Sequence, residues 1–217
     1  MPEHVSVQQQ IEHGLLQLSL AIDPIQVERL NGYLSLLQKW NQTYNLTALR
    51  DPAQMLTHHL LDSLSIVRPL LTQCPAAQTV LDVGTGAGLP GVVLAVMCPQ
   101  LSLTCVDAVG KKVAFVNQVS LSLGLKNLKA HHGRVEAMSG QFDVIVSRAF
   151  SSLGDFVKCT LTLAHPQTRW LAMKAQVSGQ EMDDLSNLAD VFHVEPLQVP
   201  GLDAQRCIVW MKSLNTP

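Results

Sequence analysis

Residues 80–91 read Val-Leu-Asp-Val-Gly-Thr-Gly-Ala-Gly-Leu-Pro-Gly, small residues spaced behind one acid. A short apolar run (Val80, Leu81, Val83) feeds Gly84, Gly86, Gly88 and Gly91, and the apolar stretch 92–97 follows. That order predicts strand, tight turn and helix, the opening unit of a doubly wound sheet that holds a nucleotide-like ligand at its carboxyl edge. Glycine is required where the backbone turns sharply and a ligand must come closer than a side chain allows.

Charge separates two ligand classes. From Gly86 the string fits the dinucleotide fingerprint G-x-G-x-x-G, and from Asp82 it fits the acidic-x-Gly-x-Gly-x-Gly loop of enzymes that use S-adenosylmethionine (SAM). A pyrophosphate wants the bare positive end of a helix, and a carboxylate just before the first glycine disfavours it. SAM carries an ammonium and a sulfonium and no phosphate, so Asp82 suits it. Asp82 can also hydrogen-bond the amides of its own loop, a role compatible with either ligand. A second strand over 101–106 ends at Asp107, nineteen positions beyond Gly88, where an acid is placed to accept from ribose hydroxyls. Neither Tyr33 nor Tyr44 has a lysine four places on, and no room remains after residue 91 for a separate substrate domain. A dinucleotide oxidoreductase is therefore disfavoured.

The corner after the fourth strand reads Ser147-Arg148-Ala149-Phe150. It lacks the Asn/Asp-Pro-Pro-aromatic pattern expected for methylation of an exocyclic amine. Carbon-5 methylation of a pyrimidine needs a cysteine nucleophile, but Cys105 lies inside the second strand, and Cys74 and Cys98 each merely precede a proline. A ring nitrogen such as guanine N7 has a free lone pair and needs neither device, so positioning can carry the reaction. Arg148 can meet a base or a phosphate, or pair with Asp143 or Glu136. Glu136, after Val135 and the third strand, is placed to accept from an adenine amine or to stand in solvent. His58, His59 and Asp62 share a helix face but lack further metal ligands, so a polar patch is expected there. The same holds for His131 and His132.

These residues need a scaffold. With 217 residues, 47% hydrophobic and 15% charged, the chain has ample core for an α/β fold of one compact unit. Helices occupy 1–75, with one apolar stripe on Leu30, Tyr33, Leu34, Leu37 and Trp40. A second helix starts at Asp51-Pro52 and carries Leu56, Leu60, Leu64 and Val67, followed by a loop from Pro69 and over 72–78. From 76 to 217 strands alternate with helices: 101–106, 111–123, 128–131, 142–146, 153–163, 169–173 and 179–189. Two closing strands follow, 191–199 and 206–211, giving a mostly parallel sheet with an antiparallel last strand. Met1-Pro-Glu-His opens no signal peptide, and no apolar run approaches the length of a membrane span. Five scattered cysteines without a C-x-x-C pair read as reduced thiols in a cytoplasm, with no metal site. Basic residues outnumber acidic ones nine to five over 81–174, while the flanking segments are net acidic. A polyanionic partner would dock on that middle part.

Trp40-Asn41, Asn45-Leu46-Thr47, His59-Leu-Leu-Asp62-Ser63-Leu64, the 82–91 loop, Val106-Asp107, Gly110-Lys111-Lys112, Arg134-Val135-Glu136 and Ser147-Arg148-Ala149-Phe150 stand together along the chain. In that combination it resembles the bacterial glucose-inhibited division protein B family, the ribosomal RNA small subunit methyltransferase G group, from about Leu30 to Arg206. The resemblance implies a class I SAM-dependent (Rossmann-like) fold with an N-terminal helical extension. It also implies methyl transfer to N7 of one guanosine, position 527, of 16S rRNA in the 30S subunit. By the same analogy Gly84, Leu89, Val135, Glu136 and Arg148 contact the cofactor, with Gly86, Gly88 and Asp107 added from the loop and strand geometry. Arg148 is also the candidate for positioning the substrate, and Lys111, Lys112, Arg134 and Lys174 are candidate RNA phosphate contacts. A monomer is expected. Lys174-Ala175-Gln176 departs from the family's common Lys-Gly, so the loop there is expected to differ. A methyltransferase acting on a small molecule or protein, and a non-catalytic ribosome-assembly factor, are the alternatives.

Overall fold

The computed structural model describes residues 5–148, 150, 152–185 and 187–214. The first four residues, and Ala149 of the corner after the fourth strand, lie outside them.

Helix α1 (Val7–Gln17) is closed by a capping box in which Ser6 and Gln9 satisfy each other's backbone amides. Helix α2 (Pro24–Tyr44) begins at Asp23, whose carboxylate accepts from the amides of Ile25 and Gln26, with proline at the first turn. It ends at Asn45 in the left-handed region, φ +48°, a conformation asparagine tolerates. Its buried side holds Leu30, Tyr33, Leu34 and Leu37 of the predicted stripe together with Val27, while Trp40, the last of the stripe, is half-buried against the same core. The second helix is more broken than its periodicity suggests. Asp51 caps α3 (Pro52–Met55), which runs into a π-helical segment, Leu56–Leu61, then α4 (Asp62–Leu64) and α5 (Val67–Gln73). Pro69, expected in a loop, sits at the third position of α5, where a missing amide hydrogen costs nothing.

Seven strands follow: β1 (Thr79–Val83), β2 (Ser102–Asp107), β3 (Leu128–His132), β4 (Phe142–Ser147), β5 (Ala164–Lys174), β6 (Ala189–Leu197) and β7 (Arg206–Ser213). Their order is β3-β2-β1-β4-β5-β7-β6. Pairings from β3 through β5 are parallel, and β7 alone is antiparallel to both its neighbours. Helices α6 (Gly91–Met97), α7 (Gly110–Ser122), α8 (Leu153–Thr160) and α9 (Gly179–Leu185) connect them.

Alternation along the strands divides the core. Val80, Val144, Val146, Leu171, Ile208 and Trp210 join one apolar cluster with α1, α2, the π segment, α6 and α7. Leu81, Val83, Ile145, Trp170, Val209 and Met211 face the other way, toward α8 and α9. Central strands covered on both faces read as continuous apolar runs, which is why β1 and β4 were plain in the sequence. The helices before Thr79 therefore share a core with the sheet. Among the described residues no helix is long and apolar enough to cross a membrane.

A candidate cofactor and substrate site at the carboxyl edge of the sheet

The turn from β1 to α6 is held from below and from both sides. Asp82 is fully buried; one of its carboxylate oxygens, Oδ2, accepts from the Thr85 hydroxyl and from the Gly91 amide at 2.9 Å. Burial pushes its pKa up to about 6, against the pull of these donors. Its other oxygen has no hydrogen-bond partner among the described residues. Of the two roles open to it in the sequence, Asp82 performs the internal one. On the far side, the Tyr33 hydroxyl of α2 donates to the Ala87 carbonyl at 2.9 Å, fully buried. Desolvation holds that phenol protonated, well above its usual range.

The glycines divide by what surrounds them. Gly84 and Gly86 have φ of +67° and +59°; a Cβ on Gly84 would meet nothing within 4 Å, and one on Gly86 only the Gly84 carbonyl at 3.9 Å. These two positions face open space. A Cβ on Gly88 would lie 2.5 Å from Val92 Cγ2 and 3.2 Å from Val116 Cγ2, and one on Gly91 would strike Cys105 and Asp82. Gly88 thus lets the loop pack closely on α6 and α7, Gly91 lets α6 pack closely on β1 and β2, and the neighbouring Leu89 is buried with them. At the tip of β2, Asp107 is 7% exposed. Its Oδ1 accepts from the Val109 amide at 2.9 Å, its Oδ2 from the Gly86 amide at 3.0 Å, and Lys112 Nζ lies 3.6 Å away. A carboxylate has about four acceptor sites, so Asp107 keeps capacity for hydroxyls above the loop. After β3, Val135 is buried in a short 3₁₀ turn (Val135–Ala137) and Glu136 is exposed beside it.

Arg148, just past β4, is the surprise. Its expected ion-pair partners were Asp143 or Glu136, but it pairs with neither. Asp143 instead accepts from the amides of Gln78 and Thr79 at the opposite edge, each at 2.8 Å, and lies 3.1 Å from His165. Arg148 Nη1 donates to the His58 carbonyl at 3.0 Å and to Asp62 Oδ2 at 3.3 Å. Arg206, opening β7, donates through Nε to Asp62 Oδ1 at 3.0 Å. Asp62 is 3% exposed, a buried carboxylate compensated by two guanidiniums. His59 continues the network: Nε2 lies 2.7 Å from the Thr47 hydroxyl, and Nδ1 lies 3.2 Å from the His58 carbonyl. Burial, with Arg148 adding to it, lowers the His59 pKa to about 4, so the ring is neutral near pH 7. Asn41 in turn accepts from the Thr47 amide at 2.9 Å and donates to the Leu49 carbonyl. The His58-His59-Asp62 patch is thus the wall of an interior cluster, and only His58 is on the surface. Among the described residues no group of three or more His, Cys, Asp and Glu is placed to hold a metal ion.

The chain matches the model of the family described as GidB, rRNA small subunit methyltransferase G, over residues 26–209. It belongs to the rRNA small subunit methyltransferase G family. Relatives bearing that name include those of Methylibium petroleiphilum, 55% identical over 94% of this chain and 93% of theirs, and of Albidiferax ferrireducens, 50% identical over 95% and 97%. The fold resembles that of a SAM-dependent methyltransferase from Aquifex aeolicus (TM-score 0.57, 19% identity, 78% of this chain and 97% of that one). It also resembles a Burkholderia thailandensis 1,6-didemethyltoxoflavin-N1-methyltransferase (TM-score 0.58, 13% identity, 84% and 89%). At such identities the likeness is one of fold: the class I methyltransferase fold, here with helices ahead of it.

In this member of the G family the sequence-predicted residues do not all converge. Gly84, Gly86 and Asp107 gather at the loop, with Val135 and Glu136 beyond β2 at the tip of β3. Among the candidate phosphate contacts, Lys111 and Arg134 are exposed, Lys112 faces Asp107, and Lys174 is bound to Glu181 at 2.6 Å. Ala175 does not have positive φ, so the alanine is accommodated without strain. Tyr33, Thr47, His59, Asp62 and Arg206 were missed as site residues. Thr47, His59 and Asp62 stood in the motifs ahead of the sheet, with His59 and Asp62 read as a polar patch on one helix face. Tyr33 showed only as a member of the apolar stripe, and Arg206 carried no signal of its own.

Proposed function

We propose that the chain transfers the methyl group of SAM to N7 of a single guanosine of 16S rRNA, the position numbered 527 in the family's activity. The observation that carries this reading is the open glycine cradle of Gly84 and Gly86 beside Asp107, in a chain of the G family. SAM, when bound, supplies an electrophilic methyl on a sulfonium. Gly84 and Gly86 let a ligand lie against bare backbone, and Asp107 accepts from ribose hydroxyls. Val135 and Glu136 border the adenine, with Leu89 under the loop and Gly88 fixing its packing. Arg148, held by Asp62 and the His58 carbonyl, reaches between this cradle and the incoming base. The N7 lone pair is free at neutral pH, so no residue needs to remove a proton, and the side chains act by orienting the nucleophile. Lys111, Lys112, Arg134 and Lys174 meet the RNA backbone. The same reading has the enzyme acting as a cytoplasmic monomer on the small subunit, with no metal.

The test is transfer of labelled methyl from SAM to 30S subunits and to naked 16S rRNA from cells lacking the protein, with the modified nucleotide mapped. Label at one guanine N7 is expected. SAM binding without label in either particle would overturn the reading in favour of another substrate or a non-catalytic role in assembly. Arg148→Ala is expected to abolish transfer with the fold intact; wild-type turnover would remove Arg148 from the mechanism.

A further inference from the structure

We infer that the cavity between Arg148, Arg206 and Lys174 binds one backbone phosphodiester of the RNA, an inference that rests on the rRNA reading above. The cavity measures about 320 Å³ and is walled by His58, His59 and Asp62 on one side and by the ends of β5 and β7 on the other. Its charges are built in. Arg148 and Arg206 share the single carboxylate of Asp62, and Lys174 is matched by Glu181. The cluster therefore carries one positive charge in excess of its carboxylates, which matches a phosphodiester. His59, neutral near pH 7, neither adds to nor subtracts from it.

The arginines are also pre-ordered. Each side chain is 23% exposed, so their heads are fixed and partly desolvated, where a charge-assisted bond is stronger than at a fully wet surface. Arg206 spends Nε on Asp62 and Nη1 on the Gln205 carbonyl at 2.9 Å. Its Nη2 has no partner among the described residues, which leaves one edge of the fork for an oxyanion.

Position along the sheet separates this cavity from the cofactor. β5 and β7 lie two and three strands from β1, roughly 10 and 15 Å at the usual strand spacing. The glycine cradle is at β1 and β2, so Arg206 and Lys174 stand on the substrate side. Arg148, after β4, lies between the two.

The experiment measures binding of the full chain to 16S rRNA between about 50 and 200 mM salt, with SAM affinity measured by calorimetry. Arg206→Gln keeps a donor for Asp62 and removes the charge; Arg206→Lys keeps the charge. The glutamine variant is expected to bind RNA about tenfold more weakly, with a salt slope shallower by about one, and to bind SAM normally. The lysine variant is expected to recover the slope. An unchanged slope with a lowered melting temperature would overturn the inference, leaving Arg206 as a staple between β7 and the π segment. Lost SAM affinity would also overturn it, assigning the cavity to the cofactor's carboxylate. If wild type methylates 30S subunits while the slope is unmoved, the phosphate site fails and the rRNA reading stands. If wild type neither binds nor methylates rRNA, both fall.

Discussion

At Gly91 an added Cβ would collide with Cys105 and lie 2.8 Å from Asp82 Oδ2, whereas at Gly84 it would enter open space at φ +67°. The two alanine variants should therefore fail differently. Gly91→Ala is expected to cost about 1–3 kcal/mol by overpacking, read as a lower melting temperature. Gly84→Ala is expected to cost about 1–2 kcal/mol of backbone strain but to weaken SAM at least tenfold in calorimetry; equal SAM affinity would mean the ligand lies elsewhere. Two buried titrating groups make a second prediction. Asp82 has a folded pKa of about 6, above its ordinary 3.8, so its protonated form stabilises the fold below pH 4 and that contribution is lost as pH rises to 6. His59 is displaced the other way, from 6.5 to about 4, so its contribution is present above pH 6.5 and is lost as pH falls toward 4. In wild type the two oppose each other across the same window. Asp82→Asn should unmask a stability that climbs from pH 4 to 6.5 in urea titrations, and His59→Gln one that falls; parallel profiles for both would refute the assignment.

At the scale of elements, α2 supports the glycine loop through one bond, Tyr33 to Ala87. Tyr33→Phe leaves a buried carbonyl without its donor and is expected to cost about 1–3 kcal/mol in chemical denaturation, with SAM affinity reduced because the loop loses its buttress. A cost near zero would show that the loop holds itself. The sequence made α2 legible, because apolar residues at helical spacing must be buried somewhere. It could not show that one member of the stripe carries a hydroxyl aimed 54 residues along the chain. The π segment was illegible for a related reason. Leu56, Leu60 and Leu64 fit an ordinary helix, and the wider turn that holds His59 and Asp62 against Arg148 depends on partners from β4 and β7. Such π turns concentrate at functional sites. Pro69 was misread because proline breaks helices in their interiors but not in their first turn.

For the whole molecule, the alternation of strands and helices pointed to a mostly parallel sheet with an antiparallel last strand, since parallel strands need crossovers, while the strand order itself came from the structure. The site was legible where it is local, in the glycine loop and Asp107. It was opaque where it is assembled from distant pieces, as in the Asp62 cluster. The helices before Thr79 and the sheet share one apolar cluster, which leads us to propose a single cooperative unit. Trp40 reports on α2, and Trp170 and Trp210 on the sheet, so single-tryptophan variants should melt at one common midpoint; an earlier transition at Trp40 would make the helices a separate domain. The bond between Asp62 and Arg206 spans 144 residues, and this has a consequence during synthesis. At 5–20 residues per second, a nascent chain waits roughly 7 to 29 s between making that carboxylate and making its second guanidinium. Until β7 has been made, the Asp62 carboxylate lacks the second of its two guanidiniums, so the final seating of its helical segment against the sheet follows the synthesis of β7.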